Sequence, residues 1–400
     1  MPEREIEFLI IGGGDAGFSA ARTLREEGAT GSILVVSRDP DPPYDRTAVS
    51  KGFLGGEKSR GEVLLGGDNW FAENDVELLI RTSAMKLDTE AHTVTLSNKD
   101  VIRYGKLLLA TGANVRRLRV DGSDLDGIHY LRALGNADSI RDDAKDNVVL
   151  VGGSYIATEV AATLTSMGRK CTLVMQEEVT LERTFGKTAG AFFQKQLTDH
   201  GVTIYGGEAV ERFEGEGRVS AVVTASGKSI PADAVVVGVG VTPEVSLAKK
   251  AGLELGERGG VLTDSKLATS AVDVYAAGDI AEYDSVVHQQ RVRIEHWDVA
   301  ENQGKTAARS MLGHDDPHDV VPYFFSDLSD WTWFEYVGPA YNWTEEIVRG
   351  SVDEGKFTVW YLDGDRLAGA LAVDRGDDLD LARELIKSRA PVDREALAAT

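Results

Sequence analysis

Residues 8–39 read FLIIGGGDAGFSAARTLREEGATGSILVVSRD, and this stretch decides the fold. A short apolar run, 8–11, ends in a glycine turn. Phe18, Ala21 and Leu24, with charged residues between them, then set a helical pattern that runs to Glu27. A second apolar run, Ile33–Val36, ends at Ser37, Arg38 and Asp39. Strand, glycine turn, helix and strand make a βαβ unit, with Gly12, Gly14 and Gly17 at GxGxxG spacing. The first glycine permits the tight turn, the second lets the backbone approach a pyrophosphate, and the third lets helix and strand pack closely. The anion then sits on the helix N-terminus, where free N–H groups and the dipole favour it. Asp39 lies 22 residues beyond Gly17, where a carboxylate would meet an adenosine ribose.

The arrangement recurs 140 residues further on. The apolar run Asn147–Val151 leads into Gly152, Gly153, Ser154, Tyr155, Ile156 and Ala157, a helix is predicted to Met167, and a strand over 171–175. Here the pattern is G-x-S-x-x-A. Ala157 still allows packing, whereas Ser154 adds a side chain where a phosphate comes closest. Two such units imply two dinucleotides. Between them, residues 107–112 form another strand running into a small-residue turn, and residues 234–240 repeat this after the second unit. A further strand, 274–278, ends in Gly278 and Asp279; the acid reads either as a ligand for a ribityl or ribose hydroxyl or as part of a plain turn.

At about 150 residues per domain, 400 residues suggest two or three domains. The formal net charge of −22 argues against a generic nucleic-acid binder and against docking on anionic lipid. The longest uncharged stretch, 147–158, is far short of a membrane span, and the acidic start lacks the features of a signal peptide, so the expectation is a soluble, cytoplasmic protein. The single cysteine, Cys171, excludes an intrachain disulfide, a redox-active cysteine pair and a cysteine-rich metal or iron–sulfur site. Electron chemistry here must therefore run on a bound cofactor, and Cys171, inside an apolar run, reads as a small core residue. The last 80 residues differ: strands over 346–351, 356–362 and 366–373, then helices over 379–387 and 393–399, predict a small α+β domain.

Taken in order, GGGDAG at 12–17, PYDRTAVSK at 43–51, ATG at 110–112, GGSYIATE at 152–159, GVGVTP at 238–243, YAAGD at 275–279, RIEHWDVAENQG at 293–304 and YFFSD at 323–327 carry a resemblance over nearly the whole chain. The sequence resembles the FAD-dependent, NAD(P)H-oxidising ferredoxin, rubredoxin and putidaredoxin reductases. It is similar also to apoptosis-inducing-factor-like proteins and to monodehydroascorbate reductases, all within the pyridine nucleotide-disulfide oxidoreductase superfamily. The resemblance implies an α/β fold with two Rossmann-like dinucleotide-binding domains, one split and one inserted, plus a small α+β C-terminal domain covering the flavin. The FAD domain would span 1–112 and 242–318, the NAD(P) domain 113–241 and the C-terminal domain 319–400.

By position, the resemblance implies FAD contacts from Gly12, Gly14, Ala16 and Gly17, from Asp39 or its neighbour Arg38 at the ribose, and from Arg46 and Lys51. It adds Ala110, Thr111, Gly112, Gly278, Asp279, Glu295, His296, Trp297 and Phe325. NAD(P) would meet Gly152, Gly153, Ser154, Tyr155, Ile156, Glu159, Glu177 and Gly240. Lys51 and Glu159 would pair near the reactive end of the flavin and carry the catalytic role, Lys51 by stabilising reduced flavin and Glu159 by orienting Lys51. No metal ligand set is implied.

Three departures from the family pattern stand out. Met175 occupies the place of a ribose-gripping glutamate, with Glu177 two residues on as the substitute; no arginine follows at once, which leans the reading towards NADH over NADPH. Ser154 replaces a glycine, and Phe325 a tryptophan. The implied activity is hydride transfer from NAD(P)H to FAD and single-electron release to a carrier such as a ferredoxin or rubredoxin, by a monomer or homodimer. The alternatives are a flavin-bound sensor that oxidises NADH slowly, and a monodehydroascorbate- or quinone-type reductase. Arg116, Arg117 and Arg119 form the one tight basic cluster and read either as a patch for an acidic carrier or as a solvated hinge.

Overall fold

The computed structural model describes residues 4–399, and in it the first apolar run is the strand Arg4–Ile11. It pairs in parallel with Ile33–Val36 on one side (Phe8 opposite Ile33) and with Val101–Leu109 on the other (Leu9 opposite Leu107). Where they are covered on both faces, over 8–11, 33–36 and 107–109, these strands read as unbroken apolar runs rather than alternating ones. Val76–Leu79 extends the sheet beyond Ile33–Val36, and Val274–Ala276 lies parallel to the end of Val101–Leu109. The antiparallel strands Ala84–Asp88 and Thr93–Leu96 finish it, both short and only partly buried and unassigned from the sequence. The fingerprint helix is Asp15–Glu26, one residue shorter than its pattern. It packs against Trp297–Met311, where Gly304 permits the crossing: a Cβ there would lie 2.3 Å from the Ala16 carbonyl oxygen.

The contacts divide the chain into two compact units. The first comprises Met1–Arg46, Arg60–Asn114 and Thr242–Pro322; the second comprises Thr47–Ser59, Val115–Val241 and Tyr323–Thr400. The second unit holds a parallel sheet in the order Thr203–Tyr205, Lys170–Val174, Asn147–Val151, Ala234–Val237, Ile128–His129. It also holds an antiparallel trio over residues 210–231 and a five-stranded antiparallel sheet built from residues 323–373, closed by the helices Asp378–Ser388 and Arg394–Ala398. One finding refines the sequence expectations and another agrees with them. Thr47–Ser59, expected with the first part of the chain, belongs to the second unit: Thr163 Oγ1 donates to the Ser50 carbonyl at 2.8 Å and Arg141 donates to the Phe53 carbonyl at 3.0 Å. The segment expected at 234–240 as a strand running into a turn is the strand Ala234–Val237 followed by a turn in which Gly240 has φ +98°. No helix among the described residues is long and apolar enough to cross a membrane.

Candidate functional site

In the first unit the glycine fingerprint is bound to its surroundings by close packing. Gly12, at φ +127°, stands where a Cβ would lie 1.9 Å from the Ala110 carbonyl oxygen, and a Cβ on Gly17 would lie 1.9 Å from the Gly12 carbonyl oxygen. No side chain fits at either place. Gly14 differs: its backbone is extended (φ −93°, ψ −168°), it caps the helix, and a Cβ there would meet only Arg46 Nε, at 3.8 Å. A helix N-terminus facing open space with a guanidinium beside it suits a pyrophosphate. The residues therefore fit the ADP half of FAD.

Around that cradle, Tyr44 Oη donates to Asp39 Oδ2 at 3.0 Å, and Arg46 Nη1 donates to Tyr44 Oη at 3.0 Å while its guanidinium lies over the Tyr44 ring. Burial would lower Arg46, but Tyr44, Asp39 and Asp15 more than offset it and hold it above its ordinary value. Asp15 is pushed up to about 7 by burial, against the opposing pull of Arg46. Of the two ribose candidates, Asp39 is thus turned inward, its side chain 12% exposed, whereas Arg38 is 55% exposed beside Asn114. Thr111 Oγ1 donates to the Glu244 carbonyl at 2.6 Å, and Gly112 turns at φ +67°. Gly278 turns at φ +78° against Ala16, and its N–H donates to Gln303 Oε1 at 2.8 Å, which fixes Asp279 next to the fingerprint helix. Arg293 donates to the Asp279 carbonyl at 3.0 Å and pairs with Glu295 at 2.6 Å. His296 caps the helix that Trp297 begins, and loss of water around its ring pushes it down to about 4.

The second unit repeats the cradle. Gly152, at φ +117°, packs so that a Cβ would lie 2.2 Å from the Gly238 carbonyl oxygen, the counterpart of Gly12 against Ala110. Ser154 caps its helix at φ −101°, ψ −172°, nearly the conformation of Gly14, so serine costs the backbone nothing here. Its side chain is exposed and makes no capping bond. Tyr155 is committed to packing rather than left open at the turn: its ring meets Phe324 edge-on at 5.3 Å and Phe185 at 6.0 Å, and burial raises its phenol well above the ordinary value. Ile156 is partly exposed in the first turn. A Cβ on Gly153 would lie 2.8 Å from Met175 Sδ and 3.2 Å from Glu177 Oε2, which places both side chains at the fingerprint turn. Glu177 pairs with Arg183 at 2.5 Å. This arginine, 73% exposed, was missed because it comes from the next helix, six residues on. Gly240 accepts from Arg116 N, Arg116 Nε donates to the Val241 carbonyl at 2.9 Å, and Arg117 lies over the Tyr130 ring. Of the three clustered arginines, Arg116 thus holds the Gly240–Val241 segment and Arg117 packs on Tyr130.

Lys51 and Glu159, 108 positions apart, do come together in this unit at 3.6 Å. Yet the nearer counter-ion is Asp327, at 3.0 Å, a residue quoted in the sequence motif but given no role there. Burial alone would lower the Lys51 ammonium; Glu159 and Asp327 outweigh it and hold the group above its ordinary value. Glu159 is buried one turn into the helix that Ser154 caps, and each carboxylate oxygen accepts a hydroxyl: Oε2 from Ser50 and Oε1 from Ser326, both at 2.5 Å. Phe325 lies beside the Lys51 ammonium, 5.4 Å from ring centre to Nζ. Cys171 is buried, its thiol pushed up to about 11 by desolvation.

Comparison with known proteins shows the family. Residues 6–304 match the family described as Pyridine nucleotide-disulphide oxidoreductase, and residues 323–400 match the one described as Reductase C-terminal. The chain is 33% identical over 398 residues to rhodocoxin reductase of Rhodococcus erythropolis, covering 99% of this chain and 92% of that protein. Among solved structures, it is similar to a ferredoxin reductase from Rhodopseudomonas palustris (TM-score 0.93, 30% identity, 98% of this chain and 97% of that one). It is similar also to a chain of the covalent putidaredoxin reductase–putidaredoxin complex (TM-score 0.92, 31% identity, 98% and 95%).

Proposed function

From the premise that the chain belongs to the pyridine nucleotide-disulphide oxidoreductase family, as an FAD-dependent oxidoreductase of NAD(P)H, we propose that it draws electrons from NADH and passes them to a ferredoxin-type iron–sulfur protein. The observation that carries the reading is the doubled cradle: two glycine turns of matching backbone, Gly12–Gly14 and Gly152–Ser154, each at a helix N-terminus. Bound FAD supplies the chemistry, accepting two electrons as a hydride and releasing them singly. A dithiol–disulfide mechanism has no place, because the single cysteine, which is buried, has no partner sulfur.

The protein's residues bind and orient. Gly14 and Arg46 hold the FAD pyrophosphate, and Asp279, fixed through Gly278 and Arg293, meets the ribityl hydroxyls. Ser154 and the backbone around it receive the NADH pyrophosphate. The Glu177 carboxylate, at the turn by Gly153, takes the adenosine ribose hydroxyls and would repel a 2′-phosphate. Glu159, one turn further along the same helix, orients the nicotinamide end, and Lys51 balances its charge. A similar solved structure is a reductase in complex with its partner, putidaredoxin, which supports a protein partner of this class.

Anaerobic stopped-flow reduction of the purified holoenzyme, with NADH and NADPH in parallel, tests this. Fast bleaching of the flavin by NADH, followed by reduction of an added ferredoxin, is the expected result. Slow bleaching with both nucleotides would refute the reductase reading and favour the flavin-bound sensor.

A further inference from the structure

The Lys51 ammonium is shared by two carboxylates, and the three side chains are largely buried, with exposures of 14% for Lys51, 10% for Glu159 and 29% for Asp327. Their formal charges sum to one negative. The two carboxylates are also held differently. Glu159 has a hydroxyl on each oxygen, from Ser50 and Ser326, whereas Asp327 stands 3.0 Å from the ammonium, closer than Glu159 at 3.6 Å. A lysine matched by one carboxylate would leave the cluster neutral; Asp327 makes it anionic.

We propose that Asp327 gives this cluster the excess negative charge that favours the oxidised, cationic nicotinamide ring over the reduced, neutral one. The inference rests on the proposed binding of NADH along the Ser154 helix. When hydride leaves C4 of the reduced ring, the C–H bond breaks with its electron pair, the flavin accepts the hydride, and the ring acquires a unit positive charge. A fixed negative charge in a partly dry site stabilises that developing cation and leaves the neutral reactant little affected. Asp327 is then a determinant of product stabilisation, separate from the fit of the nucleotide as a whole.

The test uses oxidised holoenzyme and two ligands of nearly one shape: NAD+, with a cationic ring, and 1,4,5,6-tetrahydro-NAD, whose ring is neutral and cannot donate hydride. Their Kd values are measured by titration for the wild type, Asp327→Asn and Asp327→Glu. We expect Asp327→Asn to weaken NAD+ by about tenfold, equivalent to about 1.4 kcal/mol, with the tetrahydro analogue changed by less than about twofold and Asp327→Glu restoring NAD+ affinity. Equal weakening of both ligands, or of neither, would overturn the proposal while leaving the nucleotide reading intact. Failure of the wild type to bind either ligand would overturn that reading and the proposal with it.

Discussion

The glycines of the first fingerprint separate packing from ligand binding, and two single-methyl substitutions should pull the two apart. In Gly12→Ala the added carbon would stand 1.9 Å from the Ala110 carbonyl oxygen, on a backbone at φ +127°. Carbon and oxygen settle at about 3.3 Å, so something must move by more than about 1 Å. Backbone strain and overpacking each contribute about 1–3 kcal/mol, roughly 2–6 kcal/mol together, a large part of a typical folding stability. In Gly14→Ala the methyl meets only Arg46 Nε at an ordinary 3.8 Å, on backbone that any residue adopts. Stability should change by less than about 1 kcal/mol in either direction. The methyl does, however, fill the space where a pyrophosphate must approach, and crowding worth about 1–3 kcal/mol would weaken FAD by roughly 5- to 150-fold. The assay pairs urea unfolding, followed by far-UV circular dichroism, with flavin fluorescence titration and FAD content after gel filtration. Gly12→Ala should unfold early, and Gly14→Ala should fold normally but lose FAD. A Gly14→Ala protein that holds FAD like the wild type would refute the cradle, and a Gly12→Ala protein of wild-type stability would refute the packing argument.

Glu177→Ala should raise the NADH KM by roughly tenfold through loss of a charge-assisted ribose contact, and should improve NADPH because Arg183 is released; steady-state kinetics with both nucleotides checks the crossing. Ser326→Ala leaves one oxygen of the buried Glu159 short of a donor and should cost about 1–3 kcal/mol in urea unfolding, with Ser326→Thr recovering much of it. His318 is buried with Nδ1 on Thr306, and desolvation pushes it down to about 4 from an ordinary 6.5. The unfolded chain takes up that proton first as pH falls, so this contribution is fully present above pH 6.5 and is lost progressively towards pH 4. In His318→Gln the stability difference between pH 7 and pH 4.5 should shrink by roughly 2–3 kcal/mol; an unchanged pH slope would count against the buried neutral imidazole.

What the sequence made legible was whatever local chemistry specifies. Ile33–Val36, Asn147–Val151 and Arg366–Val373 are found at the residues expected, because short apolar runs bounded by turns leave little freedom. The packing of Gly12 on Ala110 and of Gly152 on Gly238, by contrast, shows only in the structure, where each strand end meets its fingerprint glycine at contact distance. What stayed hidden depends on tertiary neighbours. Nothing local in Thr47–Ser59 reveals that it packs in the second unit. Asp327 reads as one more acid until folding brings it to Lys51, and Arg183 lies too far from Glu177 in sequence for a spacing rule to pair them. Tyr155 has the position of a nucleotide contact, but neighbouring aromatic rings claim its side chain.

The two cradles also bear on how one motif can serve two ligands with opposite requirements. A resident cofactor must survive every turnover, whereas a consumed nucleotide must leave after each one. The backbones cannot make that distinction, because Gly14 and Ser154 adopt nearly the same dihedral angles at their helix ends. The difference has to lie in side chains. At Gly14 no atom obstructs a phosphate and a guanidinium stands 3.8 Å from the position a Cβ would take, a combination that suits a ligand held for the life of the protein. At Ser154 the side chain is exposed and makes no capping bond, so on the proposed binding a phosphate would meet a neutral hydroxyl and would sit further from the helix N–H groups. Electrostatic attraction at a helix end falls off within a turn, so even a small added distance weakens it. Affinity differences of this kind appear mostly in dissociation rates. On the proposed binding, the serine that departs from the family pattern would let the oxidised nucleotide go, and Ser154→Gly should slow that release rather than speed the hydride step.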